Sequence, residues 1–339
     1  MGRGEPGGYS VGWTPPSYTV GEDGKVQGGY RPAEPHNWGR WGDDDQRGTQ
    51  NLIGPAERVA AAALVRSGKV FSLALPIDRT APSLSSRPAP MLLPLMSGSD
   101  AVVGSPYNDA APGFQWNDDM LQMPTQGSTQ WDAFGHVMWQ DSMYNGYWAG
   151  SMTTLGGGTF LGIEHHRESF VGRAVLLDPA RAQGLEHCPD NQIIGPELLD
   201  AALEAQGTEL LPGDMLLVRT GHLGRWWTLA PDDDRDAYFV ASPGIGRDAI
   251  GWLHEKQVSA LATDTLGVES LVPEDPTDRV LPVHVACLVD LGLPLGELWQ
   301  LDALAADCAE DGRWAFMLVA PPLYLPGGMG SPLNPIAIK

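Results

Sequence analysis

The sequence predicts an α/β fold. From residue 55 onward, segments with helical period alternate with short runs of strand-forming residues. One of those runs, MLLV at 215–218, is apolar at every position, as expected of a strand covered on both faces. The hydrophobic and charged fractions, 42% and 19%, are globular values in a chain that at 339 residues can bury a large core.

Residues 1–35 are rich in Gly, Pro and Tyr without periodicity and read as an extended arm, either disordered or wrapped on a neighbouring subunit. Residues 36–339 read as one domain. Pro55 suits the first turn of a helix, apolar residues recur at helical spacing to Ser67, and Gly68 stops it. KVFSLALPI (69–77) alternates like a strand. Residues 81–125 are rich in Pro, Ser and Gly and lack a period, which points to a packed lid or wall. Strands are expected at 173–178, 213–221 and 258–264, and helices at 195–207 and 246–257. The last segment, from Trp314 to Ile338, reads as a strand, a Pro/Gly turn and a short return strand.

The formal net charge of −21 argues against nucleic-acid binding, because Lys and Arg are scattered singly and no basic patch offsets the field. Cys188, Cys287 and Cys308 are far apart and form no C-x-x-C pair, so buried or free thiols in a reducing compartment are expected. No apolar run resembles a signal sequence or a membrane span, and the expected location is the cytoplasm.

Chemistry is concentrated in TQGSTQWDAFGH (125–136), where Gln126, Gln130, Asp132 and His136 stand four, two and four residues apart. Polar residues that close a strand at its carboxyl end are favoured ligand positions in α/β sheets. Asp264 and Glu269 in ATDTLGVES fit that description, although Asp264 fits a turn cap equally well. His284 lies near the start of an apolar-striped helix, and Glu297 follows GLPLG. A lone histidine on such a helix is ordinarily a packed residue unless it meets Asp132 and His136 across the chain. A His/Asp/Glu set can hold a divalent cation, supply an acid and a base, or form a structural network. His165 and His166 are adjacent, so on a strand at most one of them reaches a given site. Trp131, Phe134 and Tyr144 read as substrate-binding walls or as core. GGGTFLG lacks the order of a phosphate loop, and GHLGR lacks the G-x-S-x-G of a hydrolase elbow.

QGSTQWDAFGH resembles, in register, the H-x-G-T-H-x-D-x-P-x-H signature of the metal-dependent cyclase family, which includes bacterial kynurenine formamidases and isatin hydrolases. Thr129, Asp132 and His136 are identical, Gln126 and Gln130 replace the first two histidines, and Phe134 replaces the proline. NWGRWGDDDQRGTQNLIGPAERV, GDMLLVRTG, TDTLGVES, LPVHVACLVDLGLPLGE and APPLYLPGGMGSPLNPIAI follow in the family's order, from about residue 36 to the end. The resemblance implies a mixed, partly barrel-like central sheet flanked by helices, and a homodimer or homotetramer. It makes Asp132, His284 and Glu297 ligands of a divalent ion, Mn²⁺ or Zn²⁺, and His136 the acid/base. Gln126 and Gln130 would polarise a substrate carbonyl, and an amide oxygen as ligand suits a hard ion better than zinc.

The expected function is hydrolysis of a non-peptide amide or lactone of a small organic molecule, with a metal-activated water. One alternative is a metal-free cyclase or dehydratase acting on a biosynthetic, polyketide-like intermediate. The other is a catalytically silent binding protein.

Overall fold

The computed structural model describes residues 16–104, 114–230, 232–272 and 280–339. Its centre is a nine-stranded mixed sheet that curls into a half-barrel. In chain order the strands are β1 (Val70–Ser72), β2 (Gln130–Asp132), β3 (Val171–Leu177), β4 (Met215–Val218), β5 (Ala260–Thr263), β6 (Leu295–Glu297), β7 (Ala315–Val319), β8 (Gly330–Pro332) and β9 (Ile336–Ile338). Across the sheet they run β8-β2-β6-β5-β4-β3-β7-β9-β1. The inner four, β3 to β6, are parallel, and antiparallel strands extend the sheet on both sides.

The predicted helices appear as α1 (Pro55–Ala62), α2 (Pro196–Gln206) and α3 (Ala249–Glu255), and a fourth, α4 (Asp302–Asp311), follows β6. Two apolar layers sandwich the parallel strands. Val175, Leu177, Leu216 and Val218 pack on one side with Leu199, Leu253 and Leu288. Ala174, Leu176, Met215 and Leu217 pack on the other with Trp131, Trp299, Leu304 and Phe316. Cover on both faces is why MLLV carries no alternation.

Three elements depart from expectation. α1 stops five residues short of Ser67, because the Ser67 and Gly68 N–H groups both donate to the Lys339 carbonyl at 3.0 and 2.7 Å, which pulls the chain off the helix axis. β1 covers only Val70–Ser72 of the 69–77 strand, since Leu75 turns inward and donates to Thr129 Oγ1 at 2.9 Å. The unpatterned stretch 81–125 contains a hairpin, Met91–Met96 against Asp118–Gln122, with a bulge between Pro94 and Met96. The described part of the arm lies on its own chain. Thr19–Val20 pairs with Val26–Gln27, the Trp148 N–H donates to the Gly24 carbonyl at 2.9 Å, and the Tyr30 hydroxyl donates to Asp290 at 2.8 Å. The rest of the arm lies outside the described residues. Among the described residues, no helix is long and apolar enough to cross a membrane, and the three cysteines are buried and free.

Trp131 fastens β2 to the core. It stacks on Phe170 at 4.3 Å, meets Trp299 edge-on at 4.8 Å, and donates to the Ala320 carbonyl at 2.9 Å. Trp131→Ala should cost about 3–5 kcal/mol through the cavity and the unmatched carbonyl. A urea unfolding midpoint equal to that of the parent protein would contradict this role.

Candidate active site

Four of the side chains singled out in the sequence meet at the end of β2 and β6. Successive strand residues face opposite ways, so Gln130 and Asp132 share the face that Trp131 avoids. The antiparallel register sets Glu297 opposite Gln130, and the Gln130 amide donates to Glu297 Oε2 at 2.9 Å. His284, at the start of the late helix, brings Nε2 within 3.3 Å of Glu297 Oε1. Donor atoms of Asp132, His284 and Glu297 all fall within 4.8 Å of one another, and all three residues are buried.

Glu269 holds the histidine. Its carboxylate accepts the Val283 and His284 N–H groups at 3.0 and 2.7 Å and meets His284 Nδ1 at 2.7 Å. First-turn N–H groups have no partner inside a helix, so this carboxylate caps the helix while it orients the ring. With Nδ1 engaged, Nε2 is the nitrogen turned toward Glu297, the arrangement that fixes a ligand histidine. The preceding turn is strained. Val268, β-branched and buried, sits at φ 56°, and Gly267 before it donates its N–H to Glu297 Oε1 at 3.0 Å. Such a backbone costs on the order of 1–3 kcal/mol and persists only where its surroundings enforce it.

Burial alone would lower the His284 pKa, but its hydrogen bonds to Glu269 and Glu297 prevail and hold it at about 10. Burial raises Asp132 well above the carboxylate range, and the Glu297 charge adds to the rise. Glu297 resists the same burial and is lowered, chiefly by its bond to His284. The shifts on His284 and Asp132 both reduce the negative charge of the cluster, as a bound divalent cation would.

Two buried oxygens of this cluster, Gln130 Oε1 and Asp132 Oδ2, have no hydrogen-bond partner. Each such atom costs about 1–3 kcal/mol unless something meets it. Together with His284 and Glu297 they form an oxygen-rich donor set that fits one divalent cation. His136 is half-buried near the cluster, whose Glu297 and His284 charges act on it. Burial lowers its pKa to about 4, leaving the imidazole neutral at pH 7.

Several expected site residues do other things. The Gln126 amide is spent on the Met329 carbonyl at 2.9 Å, with Thr125 donating to its oxygen at 2.8 Å. Trp131 faces the core, as described. Phe134 is fully buried against Tyr144 and His166, and the Tyr144 hydroxyl donates to Asp45 at 3.0 Å, so these rings pack the interior and do not line a substrate wall. Asp264 accepts from Thr220 N, Thr220 Oγ1 and Gly221 N at 2.7–2.8 Å, tying two strand ends together. Glu269 likewise has its oxygens committed to His284 and the helix start, and not to a substrate. Of the paired histidines, His166 is buried against Phe134 and Phe170, away from the cluster's hydrogen bonds. The residue that the sequence reading missed is Arg87, whose charge acts on Asp132, His136 and Glu297. Its one signal was to be the sole basic residue between positions 81 and 125.

Comparison with known proteins bears on the family and the fold. The family profile named Cyclase, described as "Putative cyclase", matches residues 71–270. A crystal structure of a novel cyclase is 45% identical, with 90% of this chain and 97% of that chain covered and a TM-score of 0.84. Isatin hydrolase A from Labrenzia aggregata, bound to benzyl benzoate, is 20% identical over 82% of this chain and 94% of that one, with a TM-score of 0.56. Isatin hydrolase A from Ralstonia solanacearum is 18% identical over 85% and 98%, with a TM-score of 0.58. At those identities the two hydrolases share the fold. No curated protein matches the chain.

If Glu269 orients a ligand, Glu269→Gln should weaken Mn²⁺ or Zn²⁺ binding about 10- to 100-fold. Calorimetric titration of the variant against the parent reads this directly, and equal affinities would remove His284 from the ligand set.

Proposed function

The chain belongs to the cyclase family, and from that premise we propose that it is a metal-assisted hydrolase of a non-peptide amide or lactone. The observation that carries this reading is the buried Asp132, His284 and Glu297 set, with Asp132 Oδ2 and Gln130 Oε1 left unpartnered beside it. Asp132, His284 and Glu297 would hold the cation, with the Gln130 oxygen in reserve. A divalent ion so held acidifies water and polarises a carbonyl.

The chain's own groups supply the rest. His136, neutral at pH 7, takes a proton from the attacking water and returns it to the leaving nitrogen or oxygen. Water adds to the carbonyl carbon, the C–N or C–O bond breaks, and the proton leaves with the departing group. Glu269 keeps His284 in one orientation, and the Gln130 amide keeps Glu297 in another. Burial of this floor excludes bulk water and strengthens each of these contacts. Two proteins that share the fold are named for hydrolysing isatin, a cyclic amide, and that chemistry guides the choice of first substrates.

One observation favours a second reading. Burial pushes the Asp132 pKa up and that of His136 down to about 4, the directions that favour an acid and a base four residues apart in the chain. That pair suits proton transfer in a metal-free cyclisation or dehydration.

The decisive assay offers N-formylkynurenine, isatin and simple lactones to chelator-treated protein and to protein reloaded with Mn²⁺ or Zn²⁺. Turnover should vanish with the metal and return with it. His136→Ala should lower kcat about 10²- to 10⁴-fold while metal content stays unchanged. Full turnover after complete metal removal would leave the second reading standing. No turnover on any substrate by reloaded protein would sink the hydrolase.

A further inference from the structure

The floor of the site is buried and acidic, and its rim is not. Asp132, Glu269, Glu297, Gln130 and His284 are buried, whereas His136, Gln126 and Arg87 are partly exposed. A short chain of contacts places Arg87 on that rim. Its guanidinium donates to the Gln126 carbonyl at 2.5 Å, and the Gln126 amide donates to the Met329 carbonyl at 2.9 Å. The same Met329 carbonyl accepts the N–H of Ala133, the residue after Asp132, at 3.2 Å. Gly330, next to Met329, is the β8 partner of Asp132.

The segment that carries Arg87 is fastened at several points. Asp78 accepts the Thr80 and Ala81 N–H groups at 2.7 and 3.2 Å. Trp226 donates to the Thr80 carbonyl at 2.8 Å, and Ser85 donates to Asp236 at 2.7 Å. Arg87 is thus held at the rim by an anchored loop. Among the described residues it forms no ion pair, and the Gln126 carbonyl is its one hydrogen-bond acceptor. A guanidinium has five N–H donors in a planar fork that matches a carboxylate, so most of its capacity is unspent.

The floor carries three carboxyl groups, which would repel an anionic substrate unless a cation met it at the entrance. We propose that Arg87 binds a carboxylate of the substrate close to its scissile bond, so that the site selects anionic amides or lactones over neutral ones. The inference rests on the hydrolase reading only in placing the scissile carbonyl over Asp132, His136 and Glu297.

Binding and turnover are read separately. In the binding arm, benzoate and its neutral isostere benzamide are titrated by calorimetry into metal-loaded parent protein, Arg87→Lys and Arg87→Ala. The parent should prefer benzoate, and Arg87→Ala should weaken benzoate about 10- to 100-fold while leaving benzamide unchanged, as expected for loss of a charge-assisted pair. Arg87→Lys should recover part of the loss, since it keeps the charge without the fork. Circular dichroism and metal content check that both variants are folded and loaded, and Arg87→Lys provides the answer if Arg87→Ala is not. In the turnover arm, N-formylanthranilate is compared with formanilide, which lacks the carboxylate, and Arg87→Ala should erase the difference in kcat/KM. Equal affinity of the parent for benzoate and benzamide, no benzoate binding, or an unchanged benzoate affinity in the variants overturns the assignment. An Arg87-dependent benzoate preference without any hydrolysis upholds the anion site and sinks the hydrolase instead.

Discussion

Everything at this site depends on the burial of two carboxyl groups and an imidazole within 4.8 Å of one another. Two like charges cannot both be held out of water at that distance without a compensating positive charge. The protein meets the requirement twice over. His284 serves Glu297 and Glu269 together, and burial pushes the Asp132 carboxyl toward its neutral form. A divalent ion would answer the same demand, and Gln130 Oε1 and Asp132 Oδ2 are the two oxygens left without a partner for it.

The scaffold bears the strain of this arrangement. The site sits where the sheet changes character, between the last parallel strand β6 and the antiparallel β2, so that residues distant in sequence are brought side by side in register. Glu269 must reach back to His284 while Gly267, two residues earlier, donates to Glu297, and Val268 between them is left at positive φ. A buried β-branched residue in that conformation makes sense as the cost of delivering two contacts from one short turn.

Much of the fold was legible in the sequence because its central strands are short, mostly apolar runs that end on polar residues or are followed by them. The candidate ligands Asp132, His284 and Glu297 came from the family resemblance, and the chain folds so as to bring them together. Other assignments failed for physical reasons. Trp131 lies between Gln130 and Asp132 on a strand, so its ring had to face away from them, and the period-2 rule alone would have put it in the core. Phe134 and Tyr144 lie in irregular turns, where sequence spacing carries no facing information. Pro94 concealed the 91–96 hairpin strand, because proline argues against a strand except at an edge or a bulge, and a bulge is where it stands. Arg87 was invisible because nothing local to an unpatterned segment says what lies across from it.

Two glutamines stand where the family signature carries histidines. The Gln130 amide gives its N–H to Glu297 and leaves its oxygen without a partner beside the cluster. A neutral amide oxygen is a weaker partner for zinc than imidazole, so Asp132, His284 and Glu297 would carry the burden of holding a cation. Gln126, tied to the Met329 carbonyl, contributes no donor while that bond stands. Beside the buried cluster, His136, Gln126 and Arg87 remain partly exposed.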